Sequence, residues 1–239
     1  KVQLATAAEA QAGTDTAKAI TADGFFNARW YAGARSIVQI TWSTATSGTG
    51  ASATAQNANA RLNAAPTTAT GYAIANAILA NPYRGTIFNA GFDFSKRIAF
   101  GLRVARNVAS PDTNSVWAFS VGRTSTTETG DLSNRGLMVK VAGAGALQLL
   151  VHNGTTLTTV TSSYTPSNGS AYDIVVTSDG AGNAVLFVNG SSVATTTGAP
   201  TAASATNSGI MQFMVQNTAT ITGSPQNICI SDYFIQTNL

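Results

Sequence analysis

Cysteine, charge and histidine are all scarce in this chain. Of its 239 residues one is a cysteine, Cys229, so no intrachain disulfide can form, and a fold without disulfides can be assembled in a reducing compartment. Cys229 stands in Asn227-Ile228-Cys229-Ile230-Ser231, where alternation groups it with core positions; the expectation is a buried, inert thiol. Only 10% of residues are charged, against about 25% in ordinary globular proteins. The surface must therefore be covered by the abundant Thr, Ser, Asn, Ala and Gly. The net charge of +3 is small and the basic residues are scattered, so the long-range attraction of a nucleic-acid binder is missing. No apolar run approaches the roughly 18 residues of a membrane span, and no signal peptide is visible. Neither nucleic-acid binding nor membrane insertion is expected. The first residue is Lys1 rather than Met, as in a fragment or a processed product.

What is present is a β pattern. The stretch from Tyr172 to Thr195 reads as three consecutive antiparallel strands. Tyr172, Ile174 and Val176 alternate with Asp173, Val175 and Thr177, the period of a strand whose two faces meet different surroundings. Asp179-Gly180-Ala181-Gly182-Asn183 supplies residues that accept positive φ, Ala184 to Val188 returns as the second strand, and Asn189-Gly190 is the preferred pair for a type I′ hairpin. Val193 and Ala194 fall in the third. This meander resembles the signature of concanavalin A-like jelly rolls of the laminin-G and glucanase type, in which a strand, an Asp-Gly turn and a strand ending in Asn-Gly or Asp-Gly recur late in the domain. The resemblance implies two packed antiparallel sheets.

Further strands are expected at Ser36 to Trp42, Arg97 to Arg106 with Phe100 and Leu102 facing the core, Val116 to Val121, Leu137 to Val141, Leu147 to His152, Thr155 to Thr161, Gly209 to Gln216 and Asn227 to Gln236. Thr44 to Ala55 reads as a loop or a polar strand, and Gly71 to Leu79 as a buried strand or a helix. Turns are expected at Asn81-Pro82-Tyr83-Arg84-Gly85, at Ser110-Pro111-Asp112-Thr113-Asn114, and at Asn153-Gly154 as a tight hairpin. The fold class that follows is all-β: a concanavalin A-like jelly-roll sandwich over residues 29–239, preceded by a short helical segment over residues 1–28.

In that first segment Thr6-Ala7-Ala8-Glu9 has the spacing of a capping box and Gly13 the place of a helix C′ residue. The run Ala5-Thr6-Ala7-Ala8-Glu9-Ala10-Gln11-Ala12-Gly13-Thr14-Asp15-Thr16-Ala17-Lys18-Ala19-Ile20-Thr21 is similar to a segment of bacteriophage tail fibre proteins. Ala22 departs from the proline that often follows the threonine there. In that family the segment sits between a fibrous stalk and a more globular part of a homotrimer. The resemblance thus implies a virion fibre, assembled in the host cytoplasm as a homotrimer alongside other virion proteins, with Thr6, Glu9, Gly13, Thr14, Asp15 and Lys18 as the assembly motif. Host-surface polysaccharide is the partner that such a fibre would recognise.

Concanavalin A-like folds include glycoside hydrolases, which need two carboxylates on one face, about 5 to 9.5 Å apart. The chain has ten carboxylates, none in a Glu-x-Asp-x-Glu run, and Glu128 with Asp131 lies in a Thr/Gly-rich loop. No enzymatic activity is expected. His152, the single histidine, precedes Asn153-Gly154 as a strand-end polar residue, no nucleophile elbow accompanies it, and Cys/His metal spacing is absent. Asp112 with Asn114 and Asp179 with Asn183 read as turn formers before they read as calcium ligands. No cofactor is expected. Glycan contact needs exposed aromatic rings beside planar hydrogen-bonding groups; the candidates are Trp30, Tyr31, Tyr83, Arg84, Arg123 and Arg135, while Trp42 and Trp117 belong to strand cores. The reading is a phage fibre subunit with a lectin-like domain for glycan attachment or virion assembly. The alternative is a carbohydrate-binding module of a secreted bacterial protein.

Overall fold

A computed structural model describes residues 39–56, 59–63, 70–81, 85–86, 92–204 and 210–237. Fifteen strands run through these residues: β1 (Gln39–Ser47), β2 (Ser52–Gln56), β3 (Asn59–Asn63), β4 (Tyr72–Asn81), β5 (Gly85–Thr86), β6 (Ile98–Arg106), β7 (Ser115–Arg123), β8 (Gly136–Ala142), β9 (Gln148–His152), β10 (Leu157–Thr161), β11 (Ala171–Ser178), β12 (Asn183–Val188), β13 (Ser191–Thr197), β14 (Ile210–Asn217) and β15 (Asn227–Thr237). They form two antiparallel sheets. The first has the order β1-β4-β14-β7-β8-β9-β10, with β5 on β4; the second has the order β13-β12-β11-β6-β15-β3-β2. The two segments left open in the sequence are strands: Thr44 to Ala55 contributes the end of β1 and most of β2, and Gly71 to Leu79 lies almost wholly in β4. The helical segment over 1–28 and its boundary lie outside the described residues.

Alternation decides which side chains fill the space between the sheets. Tyr172, Ile174 and Val176 on β11 are 1, 0 and 0% exposed, and Phe100 and Leu102 on β6 are 0 and 3% exposed, so the period-two reading of both strands holds. Rings connect the layers: Phe100 meets Phe119 edge-on at 5.0 Å, Phe119 stacks on Phe213 at 4.9 Å, and Phe213 meets Tyr233 edge-on at 5.7 Å. Contacts of this kind add about 0.5–1.5 kcal/mol each beyond the area they bury. Trp117 lies in the same core.

Turn chemistry follows the sequence at Asn189-Gly190, where φ is +49° and +82° and Val188 pairs directly with Ser191, as a type I′ turn requires. Asn153-Gly154 differs. Leu157 pairs with His152, so the loop has four residues, and the Asn153 carboxamide accepts from the amides of Thr155 and Thr156 at 2.9 Å. Those two side-chain bonds favour the wider loop over a two-residue turn.

Cys229 also differs from expectation. Ile228 and Ile230 take the core positions (1 and 3% exposed) and Cys229 is exposed on the opposite face of β15. Period-two alternation sets Cys229 with Asn227 and Ser231 on the outer face, and the isoleucines take the interior.

Two edges of the sandwich are hydroxyl-rich. β10 is Leu-Thr-Thr-Val-Thr and β13 is Ser-Ser-Val-Ala-Thr-Thr-Thr; they close their respective sheets on the same side of the molecule.

Candidate functional site

The connection from β7 to β8, Thr124 to Arg135, lies between two candidate arginines, with Arg123 just before it and Arg135 at its end. Its geometry begins with one glycine. β7 and β14 slip register between Ile210 and Met211, which face Arg123 and Val121, so Gly122 is the extra residue of a bulge, at φ +97°. A Cβ at Gly122 would collide with the Arg135 carbonyl. The inserted residue turns Arg123 to the outer face of the first sheet, where Ser120 and Met138 lie.

Arg123 is 0% exposed. Its Nε donates to Ser120 Oγ at 3.1 Å; Nη1 donates to Glu128 Oε1 at 3.1 Å and the Asp131 carbonyl at 3.2 Å; Nη2 donates to the Gly130 carbonyl at 2.6 Å and meets Met138 Sδ at 3.7 Å. Every N–H of the guanidinium is thus directed at the loop or at the sheet beneath it. The sequence reading is corrected here: Arg123 positions the loop from inside and presents nothing to a ligand.

Glu128 completes the hub. Its Oε1 also accepts from Ser133 Oγ at 3.1 Å, and its Oε2 accepts from the amide and hydroxyl of Thr124 at 3.0 and 3.2 Å. Burial pushes the Glu128 carboxyl up, but the Thr124 amide and the Arg123 charge outweigh it, and the group titrates below its ordinary value. Asp131 gives both oxygens to Lys140 Nζ at 2.7 and 2.8 Å. A glycosidase acid needs a carboxyl raised toward neutrality. Glu128 is held in the opposite direction.

The loop then seals the outer face of the first sheet. Thr126 accepts from Asn76 Nδ2 at 2.8 Å, the Gly130 amide donates to Gln216 Oε1 at 2.9 Å, and Leu132 packs with Ile74, Ala118, Met138, Leu150 and Met214. Arg135, at the loop's end, is half-buried and donates to the carbonyls of Asn153 (3.1 Å) and Ala203 (3.3 Å). It joins two loops and retains part of its surface. The other candidate contacts, Trp30, Tyr31, Tyr83 and Arg84, and the assembly motif Thr6, Glu9, Gly13, Thr14, Asp15 and Lys18, lie outside the described residues.

The turn-former reading of the aspartates matches their geometry. Asp112 accepts from the amides of Asn114, Thr222 and Gly223 at 2.9, 3.1 and 3.1 Å, and Asp179 accepts from the amides of Ala181 and Asn183 and from Asn183 Nδ2 at 2.7, 3.0 and 2.6 Å. These bonds hold both carboxyls below their ordinary value. Among the described residues no group of three acidic, histidine or cysteine side chains is placed to hold a metal. His152 is 8% exposed, and its Nδ1 accepts from the Gly154 amide at 3.0 Å.

A concave site lies on the second sheet, at the rim where β6 and β11 meet the end of β15. Arg97, Ala99, Thr177, Ser178, Asp179 and Gln236 line an open depression of about 490 Å³. Register explains the grouping: Thr177 pairs with Ala99 and Ser178 with Ile98 across β11 and β6, and Gln236 pairs with Ala99 from the other side. The Arg97 side chain is exposed, and Ser178 is 3% exposed with a hydroxyl that has no hydrogen-bond partner. Phe234, two residues before Gln236 on the same face, lays its ring over Gly101, where a Cβ would come within 2.6 Å of it. The Thr177 hydroxyl, the Gln236 amide and the Arg97 guanidinium are groups that hydrogen-bond a polyhydroxylated ligand. The sequence reading missed this site because its residues come from strand ends far apart in the chain. The available signal was Ser178, a small polar residue at an inward position of β11.

Residues 93–224, more than half of the chain, match the family described as concanavalin A-like lectin/glucanases. The chain belongs to the concanavalin A-like lectin/glucanase superfamily. Solved structures similar to this concanavalin A-like chain include a botulinum neurotoxin type C studied for its dependence on interaction with two ganglioside molecules (TM-score 0.54, 11% identity, 82% of this chain and 42% of that one). A botulinum neurotoxin serotype G binding domain (0.52, 14%, 82% and 43%) and a sialidase (0.50, 10%, 82% and 17%) are similar to it as well. The chain spans less than half the length of each, and at these identities the likeness establishes the fold. Comparison with curated proteins finds no match.

Proposed function

We propose that the chain is a non-enzymatic, glycan-binding subunit of a bacteriophage fibre or a related virion appendage, acting as a homotrimer with other virion proteins. The observation that carries the binding part is the open depression at Arg97, Thr177 and Gln236 on the outer face of the second sheet. The Arg97 guanidinium, the Thr177 hydroxyl and the Gln236 amide would hydrogen-bond sugar hydroxyls there, at about 0.5–1.5 kcal/mol for each bond. The fibre part is supported by the resemblance of residues 5–21 to tail fibre segments. Absence of catalysis is supported by the Glu128 carboxylate, which is tied to Arg123, Thr124 and Ser133 and kept ionised, and by Asp131, which is tied to Lys140.

The test is binding of purified bacterial surface polysaccharides to the wild type and to Thr177→Ala and Gln236→Ala. The expected result is saturable binding that each substitution weakens about five- to tenfold, the loss of roughly one hydrogen bond. Binding to no polysaccharide and to no host cell would overturn the reading. The alternative, a carbohydrate-binding module of a secreted bacterial protein, predicts the same binding by a monomer.

A further inference from the structure

The opposite end of the sandwich carries a buried cation without a counter-ion among the described residues. Arg106, the last residue of β6, is 3% exposed; its Nε and Nη1 have no hydrogen-bond partner, and it takes part in none of the ion pairs among the described residues. Removing a charge from water costs several kcal/mol unless something pairs it. By alternation with Val104 and Leu102, Arg106 points between the sheets.

Three more buried polar atoms without partners share that end. The Tyr172 hydroxyl belongs to the second residue of β11, whose start pairs with the end of β6, Tyr172 facing Val104. Trp117 Nε1 comes from the third residue of β7 in the facing sheet. Gln226 directly precedes β15, whose Ile228 pairs with Arg106. Its Nε2 donates to the carbonyls of Gly143 and Ser115 at the start of β7, and its Oε1 is unpartnered. All three residues are at most 1% exposed. The Arg106 charge is felt at the Tyr172 hydroxyl: burial and Tyr164 raise that group, and Arg106 draws it down. The Tyr164 ring covers Tyr172 at 5.5 Å.

Arg106 Nε and Nη1 and Trp117 Nε1 can only donate, the Tyr172 hydroxyl can donate or accept, and the unpartnered acceptors at this end, Gln226 Oε1 and Asn227 Oδ1, are neutral amide oxygens. Neutral acceptors and water leave the charge of the guanidinium uncompensated, at a cost borne inside the sandwich. An acceptor-only, negatively charged group answers these donors and neutralises the guanidinium. We propose that this end of the sandwich is an anion site for a carboxylate, held by Arg106, Tyr172 and Trp117. The carboxylate is either a small free acid or the acid group of a glycan residue such as a uronate. The site is separate from the depression at Ser178, since the two lie at opposite ends of β6, and it stands whether or not that depression takes a sugar.

The test uses the ¹⁵N-labelled full chain, titrated separately with sodium acetate, sodium glucuronate and neutral methyl glucoside at constant ionic strength. The Arg106 Nε–H and Trp117 indole N–H signals are the readout. Saturable shifts with both acids and none with the glucoside identify a free-carboxylate site. Shifts with glucuronate alone identify a glycan acid. Tyr172→Phe, which keeps the ring and loses one donor, should weaken the response about tenfold, and Arg106→Gln should abolish it while circular dichroism reports an intact sandwich. Should Arg106→Gln fail to fold, the wild-type titration and Tyr172→Phe still decide. The proposal is overturned by wild-type protein whose two signals stay in place with both acids, or move equally with the neutral glucoside.

Discussion

Arg123 answers five acceptors from a position with no solvent, and Glu128 is the only carboxylate that pairs with it among the described residues. Removing one partner of such a pair strands the other charge, at about 3–5 kcal/mol. Arg123→Ala is therefore expected to lower unfolding stability by that amount in urea denaturation. Because Glu128→Gln removes the same interaction, the double variant should cost clearly less than the sum of the singles. A second expectation concerns acid. Asp93, held down by Ser95, Asp112 by the Asn114 and Gly223 amides, Asp179 by Asn183, and Glu128 all titrate below their ordinary values of 3.8 and 4.5 in the fold. A depressed folded value confers stability that is complete above the unfolded value and lost as pH falls through the folded one. Thermal unfolding should hold nearly constant from about pH 7 to 5 and drop below about pH 4, with Glu128→Gln flattening part of that drop in scanning calorimetry.

At the scale of elements, two glycines with similar φ separate conformational cost from collision. Gly190 (φ +82°) has open space where a Cβ would go, whereas Gly122 (φ +97°) has backbone there. Gly190→Ala should cost roughly 1 kcal/mol, the penalty of the left-handed region. Gly122→Ala should cost at least twice as much and release the Arg123 loop, seen as faster hydrogen exchange at Thr124 and Gly130. The β11-β12-β13 meander was legible because each turn residue and each inward position is written locally: Asp179 to Asn183, Asn189-Gly190, and the alternation from Tyr172 to Val176. Cys229 was misplaced by grouping it with core positions, although alternation along β15 sets it with Asn227 and Ser231. Arg123 was found as a residue and misread as a contact. Its burial depends on the Gly122 bulge and on acceptors from Ser120 to Met138, which only the folded loop brings together. The Ser178 depression left only Ser178 as a signal in the sequence and the Arg106 cluster left none, since register between β6, β11 and β15 and the packing of β7 create them.

For the whole molecule, the sharpest expectation is mass. A fibre subunit should run as a stable trimer in light scattering across concentrations; a persistent monomer would favour the secreted-module alternative. One further consequence follows from the two hydroxyl-rich margins, β10 and β13. Sheet margins are usually protected from pairing with another copy by lysine or proline, and neither strand has either. The expectation is that hydration of threonine and serine keeps these margins apart. Such protection is blind to ordinary ionic screening, so sodium chloride leaves it intact. It yields to strongly excluded salts such as sulfate, which favour any arrangement that hides surface from water. The expected outcome in light scattering is a protein that stays dispersed at high sodium chloride and self-associates in ammonium sulfate.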